Sequence, residues 1–335
     1  MRKMRAAEPR GADAAQPIET QGPAPDFNID VPPRGYAWWY VDALSDDGRH
    51  GLTIIAFIGS VFSPYYFKGR HRGKLDPREY CAVNACLYGE QRRWAMTERG
   101  ADALTQSDDA LTIGPSSVRW NPDQTLTVEL DEMGMPFPQR VVPQRIRGRI
   151  HVKPNFINQR VFTLDANGRH HWRPIAPTAR VEVELDRPDL KWSGHAYLDR
   201  NWGAEPLEDA FAYWDWCRAT LGEDESAVLY NMDRRDGTPF SLALNFAADG
   251  TISEFDPPPN HKLPRGTVWR SPRSMQADEP PRIVETLEDT PFYTRSVVSA
   301  KLQGRQAEAV HESVSLDRFT SPWVQPLLPY RMPKR

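Results

Sequence analysis

The sequence predicts an all-β protein, and three observations carry that expectation. Proline is abundant, 31 of 335 residues, where about 5% is usual. It interrupts helices but suits turns and strand edges. Apolar and polar residues alternate at period two along much of the chain. No long stretch shows the spacing of an amphipathic helix. The strands are numerous enough for two antiparallel β-barrels or sandwiches packed together.

Taken in order, residues 1–30 are rich in Ala, Pro, Gly and acid and read as a disordered leader. Order is expected from about 32–44, "PPRGYAWWYVDAL". The clearest strand is 145–152, "RIRGRIHV", where Ile146, Gly148, Ile150 and Val152 share one face and Arg145, Arg147, Arg149 and His151 the other. Val181, Val183 and Leu185 alternate likewise in 180–186. Further strands are expected at 51–58, 81–88, 111–120, 125–131, 209–218, 225–232, 239–246, 282–287, 291–298 and 307–314. Turn signals separate them, among them "DDG" (46–48), "ANG" (166–168) and "RRDG" (234–237). A faint repeat sets Tyr40-Val41-Asp42 before one hairpin and Tyr213-Trp214-Asp215 before another. The expected organisation is a leader at 1–30 and β domains at 31–190 and 191–335.

Lys and Arg number 42 against 45 Asp and Glu, a net charge of −3. With no long basic run, nucleic acid is not an expected partner. Cys81, Cys86 and Cys217 have no framework spacing and read as reduced thiols. The most apolar run, 51–62, falls short of the ~20 residues of a membrane span. "MRKMR" is followed by no apolar core of a signal peptide. A protein soluble or peripheral to a membrane is expected. Dinucleotide, P-loop and nucleophile-elbow motifs are missing.

Chemistry concentrates in two places. In 194–200, "GHAYLDR", a strand puts His195, Tyr197 and Asp199 on one face and Gly194, Ala196 and Leu198 on the other. An acid on an inward face needs partners; the local alternative is that Asp199 caps a turn at "RNWG" with Trp202 covering a hole. In 211–219, "FAYWDWCRA", Tyr213, Trp214, Asp215 and Trp216 either line an apolar pocket or simply pack. Aromatic faces within ~6 Å stabilise cations. "HHWRP" (170–174) adds Trp172 and two histidines, but no metal-ligand spacing accompanies them, so no metal is expected. An acid, tyrosine and tryptophans in an apolar β setting suit proton transfer to an apolar substrate without a cofactor.

At 35–64, 193–203 ("SGHAYLDRNWG"), 213–216 ("YWDW") and 318–335 the chain resembles the carotenoid 1,2-hydratases, or hydroxyneurosporene synthases, of purple photosynthetic bacteria. The resemblance runs from about residue 32 to the end. It implies two lipocalin-like β domains and cofactor-independent addition of water to the terminal C1=C2 bond of an acyclic carotenoid such as neurosporene or lycopene. It also implies functional roles for Asp199, Tyr197 and, by spacing, Trp172. Trp202, Tyr213, Trp214, Asp215, Trp216 and His195 are then candidates to bind substrate. Arg200 must point away from Asp199, towards another acid, or it would lower the pKa of a carboxyl that has to stay protonated. The substrate lives in lipid, so the expected place is the cytoplasm or the periphery of the inner or intracytoplasmic membrane. Segment 321–335 is either an interfacial patch or packing across the barrels. Other carotenoid-pathway enzymes are further candidate partners. The rival readings are an apolar-ligand carrier without chemistry and a pericyclase of the same superfamily.

Overall fold

Strand alternation decides which side chains the fold buries, and Leu126–Gly134 shows it most plainly: Leu126, Val128 and Leu130 are buried while Thr127, Glu129 and Asp131 are not. The computed structural model describes residues 18–19, 22–73, 75–134 and 142–335. Among these, strands form one 13-stranded antiparallel sheet, one 7-stranded sheet and a two-stranded ribbon.

Eleven strands of the large sheet follow the order Arg93–Arg99, Cys81–Gly89, His50–Ile58, Tyr36–Ser45, Asp189–Gly203, His170–Arg187, Gln144–Pro154, Leu126–Gly134, Ser116–Trp120, Ala110–Ile113 and Leu104–Gln106; off this path Arg160–Thr163 pairs with His170–Arg187, and Ile18–Glu19 with Arg160–Thr163. The sheet curls on itself, bringing Arg93–Arg99 against Leu126–Gly134 and giving Arg93 a hydrogen bond to the Arg145 carbonyl. The nearly closed barrel is filled by alternate residues such as Trp39, Val41, Ile54, Val128, Ile150 and Leu198. The 7-stranded sheet runs Ile252–Glu254, Pro239–Phe246, Ser226–Arg234, Phe211–Thr220, Arg305–Ser315, Tyr293–Leu302 and Arg282–Asp289. Helices are short, as expected; Pro64–Arg70 is capped by the Ser63 hydroxyl.

Sheet membership changes between Gly203 and Phe211, because Asp189–Gly203 pairs with His170–Arg187 on one side and Tyr36–Ser45 on the other. The expected division at 190/191 lies beside the turn of that hairpin. The single run expected at 111–120 is broken at Gly114, whose φ of +60° turns it into two strands. Part of the expected leader lies outside the described residues. Residues 22–30 are ordered: Phe27 is buried beside Trp39, and Arg173 donates to the carbonyls of Gly22, Pro23 and Ala24. Guanidinium donors and one buried ring hold a stretch whose composition alone offers little.

The sheets bury a second apolar layer between them. It contains Tyr36, Trp38, Tyr40, Trp172 and Tyr197 from the barrel and Trp214, Trp216, Tyr230 and Val310 from the smaller sheet. All three cysteines are free and buried. Burial pushes the Cys81 and Cys217 thiols up to about 12. No described helix is long and apolar enough to cross a membrane.

Candidate active site

The hairpin His170–Arg187/Asp189–Gly203 supplies the acid and both its donors. Alternation sends Ala196 and Leu198 into the barrel and Tyr197, Asp199 and Asn201 to the opposite face. Register sets Trp172 across from Asn201, and Tyr40 across from Asp199 on the other neighbouring strand. The acid therefore faces the layer between the two sheets.

Asp199 is 4% exposed. Its Oδ2 accepts two hydrogen bonds, from Trp172 Nε1 at 2.9 Å and from the Tyr197 hydroxyl at 2.8 Å. Its Oδ1 is buried with no hydrogen-bond partner in the protein. Burial pushes the carboxyl up from 3.8 to about 8, against the pull of the Trp172 and Tyr197 donors; the negative charges of Glu312 and Asp42 push the same way as burial. At neutral pH the group is mainly a carboxylic acid, and its proton belongs on the free Oδ1.

Aromatic rings surround it. Tyr197 lies 5.3 Å from Trp216 and 6.1 Å from Tyr40, and Tyr40 lies 5.6 Å from Trp216. Trp172 is flanked by Phe162 at 5.4 Å and Tyr230 at 5.3 Å. Beyond the rings, buried charges are compensated. Asp42 accepts from Arg218 Nε at 3.1 Å and Arg295 Nη2 at 3.0 Å, and Glu312 accepts from the Tyr40 hydroxyl at 2.8 Å and pairs with Arg295.

The structure brings together Asp199, Tyr197, Trp172 and Trp216 of the expected residues. Trp214 shares their layer, but its ring packs edge-on to Phe211. Tyr213 and Asp215 leave the site. They alternate to the far face of the smaller sheet, where Asp215 accepts from Tyr213, Ser313 and Ser274 hydroxyls. His195 is half-exposed near the strand's other end, 3.8 Å from Asp46. Trp202 lies on the barrel side, stacked on His171 at 5.2 Å, so it neither covers Asp199 nor reaches it. Arg200 does point away, to Asp26 at 2.5 Å. Tyr40, Tyr230 and Glu312 complete the surround without having been expected there. Tyr40 was visible as part of the repeat, but pairing across strands is what carries it to Asp199. Among the described residues, no group of three or more His, Cys, Asp and Glu side chains could hold a metal.

Residues 54–335 match the family model described as carotenoid hydratase CrtC. The chain belongs to the carotenoid hydratase family. It is accordingly an enzyme, a hydro-lyase. The acyclic carotenoid 1,2-hydratase of Thiocapsa roseopersicina is 53% identical over 98% of this chain and 82% of its own length. That of Rubrivivax gelatinosus is 48% identical over 93% and 76%. A solved AttH candidate from Nitrosomonas europaea is similar in fold alone, with a TM-score of 0.56 at 14% identity over 84% of this chain and 92% of that one. In this hydratase-family chain the match takes in strands of both sheets and includes Asp199, Tyr197, Trp172, Trp216, Tyr230 and Glu312, while Tyr40 lies ahead of it.

Proposed function

We propose that the chain adds water, without a cofactor, across the terminal C1=C2 bond of an acyclic carotenoid such as neurosporene or lycopene, with Asp199 as the acid. The observation that carries this reading is the Asp199 carboxyl: buried, raised to about 8, and with Oδ1 unpartnered while Oδ2 holds two donors. An alkene has no lone pair to activate, so hydration must begin by protonating carbon. Oδ1–H transfers its proton to C2, and the C=C π pair forms the new C–H bond. C1 becomes a tertiary carbocation and Asp199 a carboxylate. The Trp172 N–H and Tyr197 O–H bond the carboxylate more strongly than the acid, so they stabilise the charge that develops. The faces of Trp216, Tyr197 and Tyr40 offer negative quadrupoles to the cation. Water attacks C1, the C–O bond forms, and the surplus proton returns to Asp199. The product is a tertiary alcohol.

The test is expression of Asp199→Asn in a lycopene-producing host, with mass analysis for a gain of one water. General acid catalysis contributes about 10²–10⁴-fold, so at least about a hundredfold loss is expected. Hydration near the wild-type level would remove the proposal. A polyene substrate lives in lipid, so peripheral contact with a bacterial inner or intracytoplasmic membrane belongs to the same reading.

A further inference from the structure

The chain after its last strand is apolar on two sides. It contains the helical turn Leu316–Phe319 and the 3-10 helix Gln325–Tyr330. Val324, Leu328 and Met332 are buried in the same layer as Trp172 and Tyr197. Trp323, Leu327 and Tyr330 are 48%, 37% and 68% exposed. A surface helix in water keeps one apolar stripe against the core. A second stripe on the other side marks a surface that something apolar covers.

The patch continues onto the loop 264–273. Trp269 stacks on Trp323 with ring centroids 6.2 Å apart, Arg318 Nη2 donates to the Trp269 carbonyl at 2.8 Å, and Val268 is 74% exposed. Charge at the patch runs against that of the chain, which is −3 overall. Segment 316–335 carries Arg318, Arg331, Lys334 and Arg335 against Asp317 alone; Asp317 is paired with Arg235 at 2.8 Å, and Lys334 with Glu98 at 3.5 Å. The loop contributes Arg265, Arg270 and the buried Arg273 and no acid of its own, and Asp289 accepts from Val268 N at 2.7 Å. Trp and Tyr favour the headgroup region of a bilayer, and clustered arginines favour anionic lipid.

We propose that the surface formed by Trp323, Leu327, Tyr330, Trp269 and Val268 rests in the interface of an anionic lipid bilayer. The segment then has one face in lipid and the other in the layer that holds Asp199, so a hydrocarbon passes between the two beneath a single stretch of chain. A second copy of the chain is the poorer occupant. A two-fold contact through this patch would set its arginines against their own equivalents. The choice of lipid rests on the carotenoid reading above, but the binding test uses no carotenoid, so the two fail separately.

The experiment is flotation of the full chain with phosphatidylcholine vesicles, with and without phosphatidylglycerol. Wild type floats with the anionic vesicles, and less as salt rises. Leu327→Ser combined with Tyr330→Ser weakens binding by at least about tenfold, measured below the variant's own thermal unfolding because Leu327 is only 37% exposed. Arg265→Gln weakens binding to anionic vesicles alone, by about fivefold. Three results would each overturn the proposal: wild type staying with the soluble fraction, the double variant floating as wild type does, or wild type sedimenting as a dimer that the double variant splits.

Discussion

Asp199 is held between opposing influences, and each can be removed singly. Burial raises its pKa; the Trp172 and Tyr197 donors lower it. With the acid form as the catalyst, kcat/KM should be flat below and fall through a single deprotonation near pH 8. Tyr197→Phe removes a donor that favours the carboxylate. The alkaline limb should then move up by about one to two pH units, since a hydrogen bond to a charged group is worth about 1.5–3 kcal/mol. The maximal rate should fall with it, because the developing carboxylate loses the same donor. A pH–rate profile checks both, and a limb that stays in place contradicts the assigned role of Tyr197. Stability carries the opposite signature. A carboxyl whose pKa rises from 3.8 to about 8 on folding binds more protons folded than unfolded between those values. Its contribution to stability therefore declines as pH climbs through that window, by at most about 1.4 kcal/mol per pH unit, and levels off above it. Asp199→Asn has no such loss. It should gain on wild type in urea unfolding as pH rises from about 4 to about 8, while remaining inactive.

The hairpin around Asp199 depends on a close approach that only glycine permits. A Cβ on Gly194 would lie 2.0 Å from the Leu44 carbonyl oxygen of the paired strand. Gly194→Ala must push the two strands apart, at about 1–3 kcal/mol, and displace Tyr197 and Asp199 from Trp172. Loss of both stability and hydration, read by urea unfolding and by product mass, is the expected pair of results. Periodicity made the strand at 194–200 legible, and with it the shared face of Tyr197 and Asp199. It did not show what covered that face. The same alternation misplaced Tyr213 and Asp215: being adjacent to Trp214 and Trp216 in sequence puts them on the other side of the sheet. The repeat of Tyr-x-Asp was legible too, yet the two copies face opposite ways, Asp42 towards the layer and Asp215 away from it. Tyr230 and Glu312 come from distant strands, so only sheet pairing and sheet packing bring them to the acid. Residues 22–30 were illegible for a similar reason, since their order comes from Arg173 and Arg200, which lie far along the chain.

At the scale of the molecule, the two sheets are joined by charge as well as by rings. Asp42 on the barrel is fully buried and sits between Arg218 and Arg295 of the smaller sheet. Removing one member of a buried ion pair costs about 3–5 kcal/mol, because the partner's charge is left uncompensated. Asp42→Asn should therefore lower the unfolding free energy measured in urea by about that amount. The same substitution reaches the acid. Asp42 is one of the negative charges that hold the Asp199 pKa up, and without it the two guanidiniums present a net positive field. The Asp199 carboxylate is then favoured, so the alkaline limb of the pH–rate profile should move below about 8. That shift is opposite in sign to the one expected for Tyr197→Phe, although both substitutions reduce activity at neutral pH. General loosening of the fold would drive neither pair of directions. If both variants moved the limb the same way, Asp199 would not be the group whose ionisation limits the rate.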